Sequence, residues 1–295
     1  MDDLTDFALN EEYKRLQSIG DKLAEISSLI DWKPFRPILE SMYHNRTASG
    51  GRPEADVIVM FKMLVLQQWH GLSDAELERQ CIDRISFRKR IADNAKEEQI
   101  WTEMQKQLDA LGLKIKKGMI QDATFIHSTP GHAKADEPRG KEARTRRSKD
   151  GTWTKKGGRS FFGYKLHTII DKDYELIRRF RTTTASVHDS QIDLSELNEV
   201  VYRDRGYFGA IAKGFAATMQ RAVRGHPLEI RDILRNERIS SQRAPGERVY
   251  SVVREVFNAG KVLVTTVERV NVKMLMTAFC FNLHQLKTLK HKGII

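Results

Sequence analysis

Three acidic side chains in this sequence stand where a carboxylate needs a reason. Asp122 lies in MIQDATFIH, residues 119–127, an otherwise apolar or neutral run with strand character. A charge in that setting needs a partner or a metal. Asp204 closes the short apolar run NEVVYRD. Glu247 opens ERVYSVVREVF, whose Val249, Val252, Val253 and Phe257 fall on one side, which places Glu247 in the first turn of a helix. If strand, strand and helix bring the three together, an oxygen-only set of this kind suits Mg²⁺ or Mn²⁺. Two such ions roughly 3.5–4 Å apart can activate a water or a 3′-hydroxyl and neutralise the leaving oxygen of a phosphodiester. Any single acid is a weak signal among 39 Asp and Glu residues. The context of Asp122 carries more weight than its type.

The elements that must position these residues follow from periodicity and punctuation. Tyr13, Leu16, Ile19, Leu23, Ile26 and Ile30 repeat every three to four residues, the apolar face of a helix. The run Trp32 to Pro37, with its two prolines, ends it, and a short helix over 38–44 follows. Residues 56–69 form a strongly apolar helix. Ser73 with Glu76 three residues on makes a capping box for the next, and the basic SFRKR at 86–90 follows. Helix, turn, helix and basic end fit a helix-turn-helix or an ordinary packed hairpin. A helix over 97–111 closes the region, with Gly112 as its C-terminal cap.

From residue 114 the pattern changes to strands. After 119–127 comes a long polar loop, 128–160, rich in Arg144, Arg146, Arg147, Lys155, Lys156 and Arg159. Those charges suit phosphate contacts. Trp153 within the loop suits stacking on an unpaired base, or serves as the aromatic anchor of a solvated loop. Residues 161–171 and 176–186 are β-rich, with Asp171-Lys172-Asp173 as a hairpin turn. A helix over 191–199 and a strand over 198–204 follow. Further expectations are a helix over 209–219, a fifth strand at 221–224, a basic helix over 228–243, a break at Pro245-Gly246 and a helix over 247–257. A short extended segment at 261–267 and a long apolar helix at 272–290 complete the chain. Antiparallel strands followed by a helix-linked parallel strand is the order of a ribonuclease-H-like core. The expected fold is therefore α/β: a ribonuclease-H-like mixed sheet flanked by helices over 114–295, preceded by an all-α domain over 1–113.

Composition narrows the partners. The 295 residues carry a net charge of +11, which points to a polyanion, nucleic acid before any other. No segment approaches the roughly 20 apolar residues of a membrane span, and the acidic, polar start is not a targeting sequence. Cys81 and Cys280, alone and far apart, make neither a disulfide framework nor a zinc pattern. They are expected to be buried small hydrophobes of a cytoplasmic protein.

Four blocks add a specific resemblance: QDATFIH around Asp122, FGYKLH at 162–167, VHDS at 187–190 and YRDRGYFG around Asp204. They resemble the blocks of DDE-class insertion-sequence transposases, nearest to the insertion-sequence family numbered five. That family's third block has the form Arg, three residues, Glu, six residues, Lys or Arg. Arg243, Glu247 and Arg254 match it, while Ser240 stands where the family has tyrosine. Glu255 lies one residue past the motif's basic position and is rejected. Residues 51–88 resemble the helical domain that precedes the catalytic core in this family. The chain then passes almost directly from Phe87-Arg88 to Arg90, where relatives carry a further segment, as an internal deletion would leave it.

The resemblance implies that Asp122, Asp204 and Glu247 hold two Mg²⁺ or Mn²⁺ ions. Water then cuts the element's end and the freed 3′-hydroxyl attacks target DNA. It implies Arg243 and Arg254 on DNA phosphates, or salt-bridged along their helix. It implies double-stranded DNA partners (terminal inverted repeats and target), a homodimer or higher assembly at synapsis, and a nucleoid-associated location. His188 and Asp189 fall near the metals or fix their loop. Tyr207 packs, and His167 is a strand residue with no catalytic part. A nuclease that cuts without joining, or a decayed DNA-binding remnant, would carry the same blocks.

Overall fold

The computed structural model describes residues 28–42, 56–70, 94–115, 118–131, 148, 150–263 and 266–295. The expected first helix over 13–30, the helix-turn-helix region, Cys81, the Arg88–Arg90 join, and Arg144, Arg146 and Arg147 lie outside, or almost wholly outside, these residues.

Three helices come first: α1 (Phe35–Glu40), α2 (Val57–His70) and α3 (Glu97–Ala110). α1 starts three residues earlier than expected, because Pro37 falls in its first turn, where a missing N–H breaks no helical bond. Asp56 caps α2, its carboxylate accepting from the amides of Ile58 and Val59. Trp32, Phe35 and Phe61 pack with Phe279 of the last helix at ring-centroid distances of 5.3–6.3 Å. One continuous apolar core thus joins these helices to the C-terminal part of the chain.

Six strands form one mixed sheet: β1 (Met119–His127), β2 (Thr152–Lys156), β3 (Arg159–Asp171), β4 (Ile177–Thr184), β5 (Val200–Arg203) and β6 (Phe215–Thr218). The order is β2-β3-β1-β5-β6, with β4 also on β3. β1 pairs antiparallel with β3 and parallel with β5, and β5 is parallel to β6. This is the ribonuclease-H-like mixed sheet expected. β1 has the expected bounds. The loop over 128–160 was expected to be without structure, but its last part is β2, turned into β3 through Gly157-Gly158 at φ +57° and +77°.

Two expected helices are absent. Only a 3₁₀ turn, Asp189–Gln191, forms where a helix over 191–199 was expected. Asp193 instead accepts from the amides of Ser195 and Lys213, a local alternative to helical bonds, and Asn198 adopts φ +67°. Residues 209–219 give β6 in place of a helix, and 221–224 is no strand, only an isolated bridge between Val223 and His226.

On one face of the sheet lie α4 (Ile230–Ser251) and α5 (Val267–His291). α4 runs straight through Pro245-Gly246, where a break was expected. It passes into a π-helical segment, Val252–Val256. Gly246 is buried against Ile120, and a Cβ there would lie 3.1 Å from its Cγ2. α5 begins five residues before its expected start, with Thr266 as N-cap. Cys280 is buried in it. Among the described residues no helix is long and apolar enough to cross a membrane.

Candidate active site

β1 and β5 run parallel with Met119 opposite Val201 and Ile120 opposite Tyr202. Carried two residues further, that register sets Asp122 level with Asp204, on strands about 4.8 Å apart. β5 ends at Arg203, so β1 has lost its neighbour by Asp122. Both carboxylates therefore stand in the crevice beyond the carboxyl end of a parallel strand, where open α/β sheets bind ligands. Asp204 caps the 3₁₀ turn Arg205–Tyr207, accepting from the Gly206 amide at 2.9 Å.

α4 closes the crevice from one side. Arg243 Nη2 donates to Asp122 Oδ2 at 2.5 Å, and the Ala123 amide donates to Oδ1 at 2.8 Å. Burial nevertheless pushes the Asp122 carboxyl up to about 6. Asp204 and Asp189 push the same way, and Arg243 opposes them. Glu247 follows Arg243 by one helical turn, about 6 Å of rise, and is exposed. Arg254 is exposed in the π-helical segment.

Several further residues build this crevice. Arg203 is fully buried beneath it, donating to Gln121 Oε1 at 2.8 Å and to Asp193, with its guanidinium over the Tyr207 ring. Tyr207 is buried, as expected of a packing residue. Burial raises its hydroxyl pKa, and Asp122, Asp189 and Asp204 raise it further. The VHDS block divides its work. His188 fixes its loop, its Nδ1 bonded to Ser190 Oγ at 2.7 Å, whereas Asp189 pairs with Lys165 Nζ at 2.9 Å and adds its charge to the field at Asp122. The position of Arg203 beside Asp204 gave no signal in sequence, because its partners Gln121 and Asp193 lie 82 and 10 residues away. His167 is buried on β3 against Thr183 Oγ1 at 2.8 Å, and burial lowers its pKa to about 4.

Lys155, Lys156 and Arg159 are exposed on the β2–β3 hairpin. Trp153 is exposed beside Phe162 on the same hairpin.

The donor chemistry fits a hard divalent cation. The acids offer only oxygen, and like charges crowd a desolvated Asp122 that is ion-paired with Arg243. Among the described residues no three His, Cys, Asp or Glu side chains are drawn together at metal-ligating distance. The extended register sets Asp122 level with Asp204, while Glu247, one turn past Arg243 on α4, makes no hydrogen bond or ion pair to either among the described residues.

Residues 114–283 match the family model described as Transposase DDE domain, and residues 11–104 match the one described as Transposase domain (DUF772). The first match covers more than half of the chain and spans Asp122, Asp204 and Glu247. The chain belongs to the DDE transposases. No solved structure matches this transposase. It is a DNA-cleaving and strand-transferring enzyme of a family that normally works with divalent metal ions.

Proposed function

We propose that this transposase binds the terminal inverted repeats of an insertion sequence, cuts the DNA there and joins the freed 3′ ends to target DNA. The observation that supports this most is the shared level of Asp122 and Asp204 beneath the helix carrying Arg243 and Glu247. Asp122, Asp204 and Glu247 would hold the metal ions, two Mg²⁺ or Mn²⁺. When bound, the ions supply a Lewis acid and a deprotonated oxygen nucleophile.

The chain's own residues do the rest. Asp122 must be ionised to take part, which its raised pKa sets against mildly acid conditions. Arg243, held on Asp122 in the free protein, turns to a DNA phosphate, for which its planar fork is suited. Arg254, Lys155, Lys156 and Arg159 contribute further phosphate contacts, with Arg144, Arg146 and Arg147 extending them. Tyr207 and Arg203 fix the floor from which Asp204 projects. Residues 1–113 would grip the DNA ends and 114–295 perform the chemistry. Synapsis of two ends calls for a homodimer or larger assembly, acting on DNA in the cytoplasm.

The test is a labelled terminal-repeat duplex incubated with target DNA and Mg²⁺. The expected products are cut ends and joined species, both lost in Asp122→Ala. Free ends with no joined species would reduce the activity to a nuclease, and cleavage surviving Asp122→Ala would remove the metal assignment.

A further inference from the structure

The sheet has a second face, away from α4 and α5. Ile120 and Ile126 point toward those helices, so by strand alternation Phe125 and His127 point away from them. There they meet Phe161 of β3. The three rings pack with centroids 4.7 Å apart for Phe125–His127 and 5.8 Å for each ring to Phe161. All three are partly or fully exposed. A cleft of about 360 Å³ opens over them, walled also by Lys155, Lys156 and Lys165. Trp153 is not part of it. It pairs with Phe162 in the β2–β3 ladder, one position off Phe161, and so faces the other side.

We propose that this cleft binds an unpaired nucleotide of the DNA end, its base stacked on Phe125, His127 and Phe161 and its phosphate held by Lys156, which shares their face of the hairpin. The inference rests on DNA being the substrate. Solvent-facing aromatic rings on a sheet surface are what a nucleobase stacks on, whatever its identity. Among the described residues Lys156 has no ion-pair partner, so its charge is available to phosphate. Lys165 is already committed to Asp189 and to the Val187 carbonyl, at 2.9 and 2.8 Å, and forms a fixed floor. The volume is that of a small-molecule site. It admits one nucleotide and excludes a duplex, whose stacked bases hide their faces.

The cleft is also placed to serve the reaction. Phe125 lies three residues beyond Asp122 on the same strand, about 10 Å along it at roughly 3.3 Å per residue, with the two side chains on opposite faces of β1 past the end of β5. That is about three stacked nucleotides at 3.4 Å each. Asp189, at the cleft's edge, is one of the acids whose charge reaches Asp122. A strand end seated here would separate from its complement within a few nucleotides of the carboxylates.

The experiment is fluorescence anisotropy of the full chain in EDTA with three terminal-repeat DNAs. One is blunt, one carries a three-nucleotide single-stranded extension of either polarity, and one carries that extension with abasic sites. The extension is expected to tighten binding about fivefold or more, and the abasic extension to lose that gain. Phe161→Leu and Phe125→Leu should each lose it while binding blunt DNA as the parent does. An extension of either polarity that adds nothing, or an abasic extension that binds as well as the intact one, overturns the proposal without recourse to any variant. Because no metal is present, blunt DNA bound with no gain from the extension removes this inference alone. Absence of binding to every DNA removes the proposed function as well.

Discussion

Asp122 carries two opposed demands, and they give it a measurable signature. Its pKa in the folded chain is about 6, above the ordinary 3.8, mainly through burial. The folded chain therefore holds that proton more tightly than the unfolded chain does. The stability this contributes is fully present below the ordinary value and is lost as pH rises through about 6. Thermal melts of the metal-free protein should thus fall in Tm between about pH 4 and 6 relative to Asp122→Asn, which has no such proton to lose. Arg243→Ala removes the opposing positive charge, and the fall should move to higher pH. A difference curve flat across that window would mean that Asp122 is not desolvated. Arg203 offers a second test at this scale. Its side chain is buried against Gln121 and Asp193, and removing one partner of a buried pair costs about 3–5 kcal/mol. Arg203→Met should lower unfolding free energy in urea by about that amount.

The strands that carry the chemistry were legible because their apolar runs are continuous and bounded by turn residues. β1, the β3–β4 hairpin and β5 appear close to where alternation and punctuation put them. The crossover from β4 to β5 was not legible. Its apolar residues Ile192, Leu194 and Leu197 mimic a helical run, but the bonds from Asp193 to Ser195 and Lys213 hold the chain extended. Residues 209–219 failed for a related reason: β6 is fixed by pairing with β5, a contact remote from its own sequence. The Gly157-Gly158 turn was a readable signal obscured by surrounding charge. Two predictions belong to these elements. Gly163 lies opposite His127, and a Cβ there would sit 2.0 Å from the Ile126 carbonyl oxygen. Gly163→Ala should therefore abolish the folded state, seen as loss of the cooperative melt. Pro245 costs α4 a hydrogen bond within the helix that presents Arg243 and Glu247. Pro245→Ala should raise unfolding free energy by about 1–3 kcal/mol; a loss instead would show that the helix depends on proline's fixed φ.

For the whole molecule, the net charge of +11 is not spread evenly over the crevice. Exposed Lys155, Lys156 and Arg159 stand on the β2–β3 hairpin, on the far side of β1 from β5, while buried Arg203 is spent on the fold. If the hairpin cations contact phosphate, replacing all three by alanine should shallow the dependence of log K on log salt by about 2–3 units. An unchanged slope would place the DNA elsewhere. Charge and motif order were enough to foresee a DNA-acting fold. The single apolar core shared by α1–α3 and α5 was not foreseen, since it depends on contacts such as that between Phe61 and Phe279. The most direct test of the whole account is Mn²⁺ binding followed by electron paramagnetic resonance at pH 7.5. The parent chain is compared with Asp122→Asn, Asp204→Asn, Glu247→Gln and the control Glu255→Gln. The account predicts that each of the first three weakens binding tenfold or more and that Glu255→Gln leaves it unchanged. Unaltered binding in Asp122→Asn or Asp204→Asn, or a loss confined to Glu255→Gln, would contradict it.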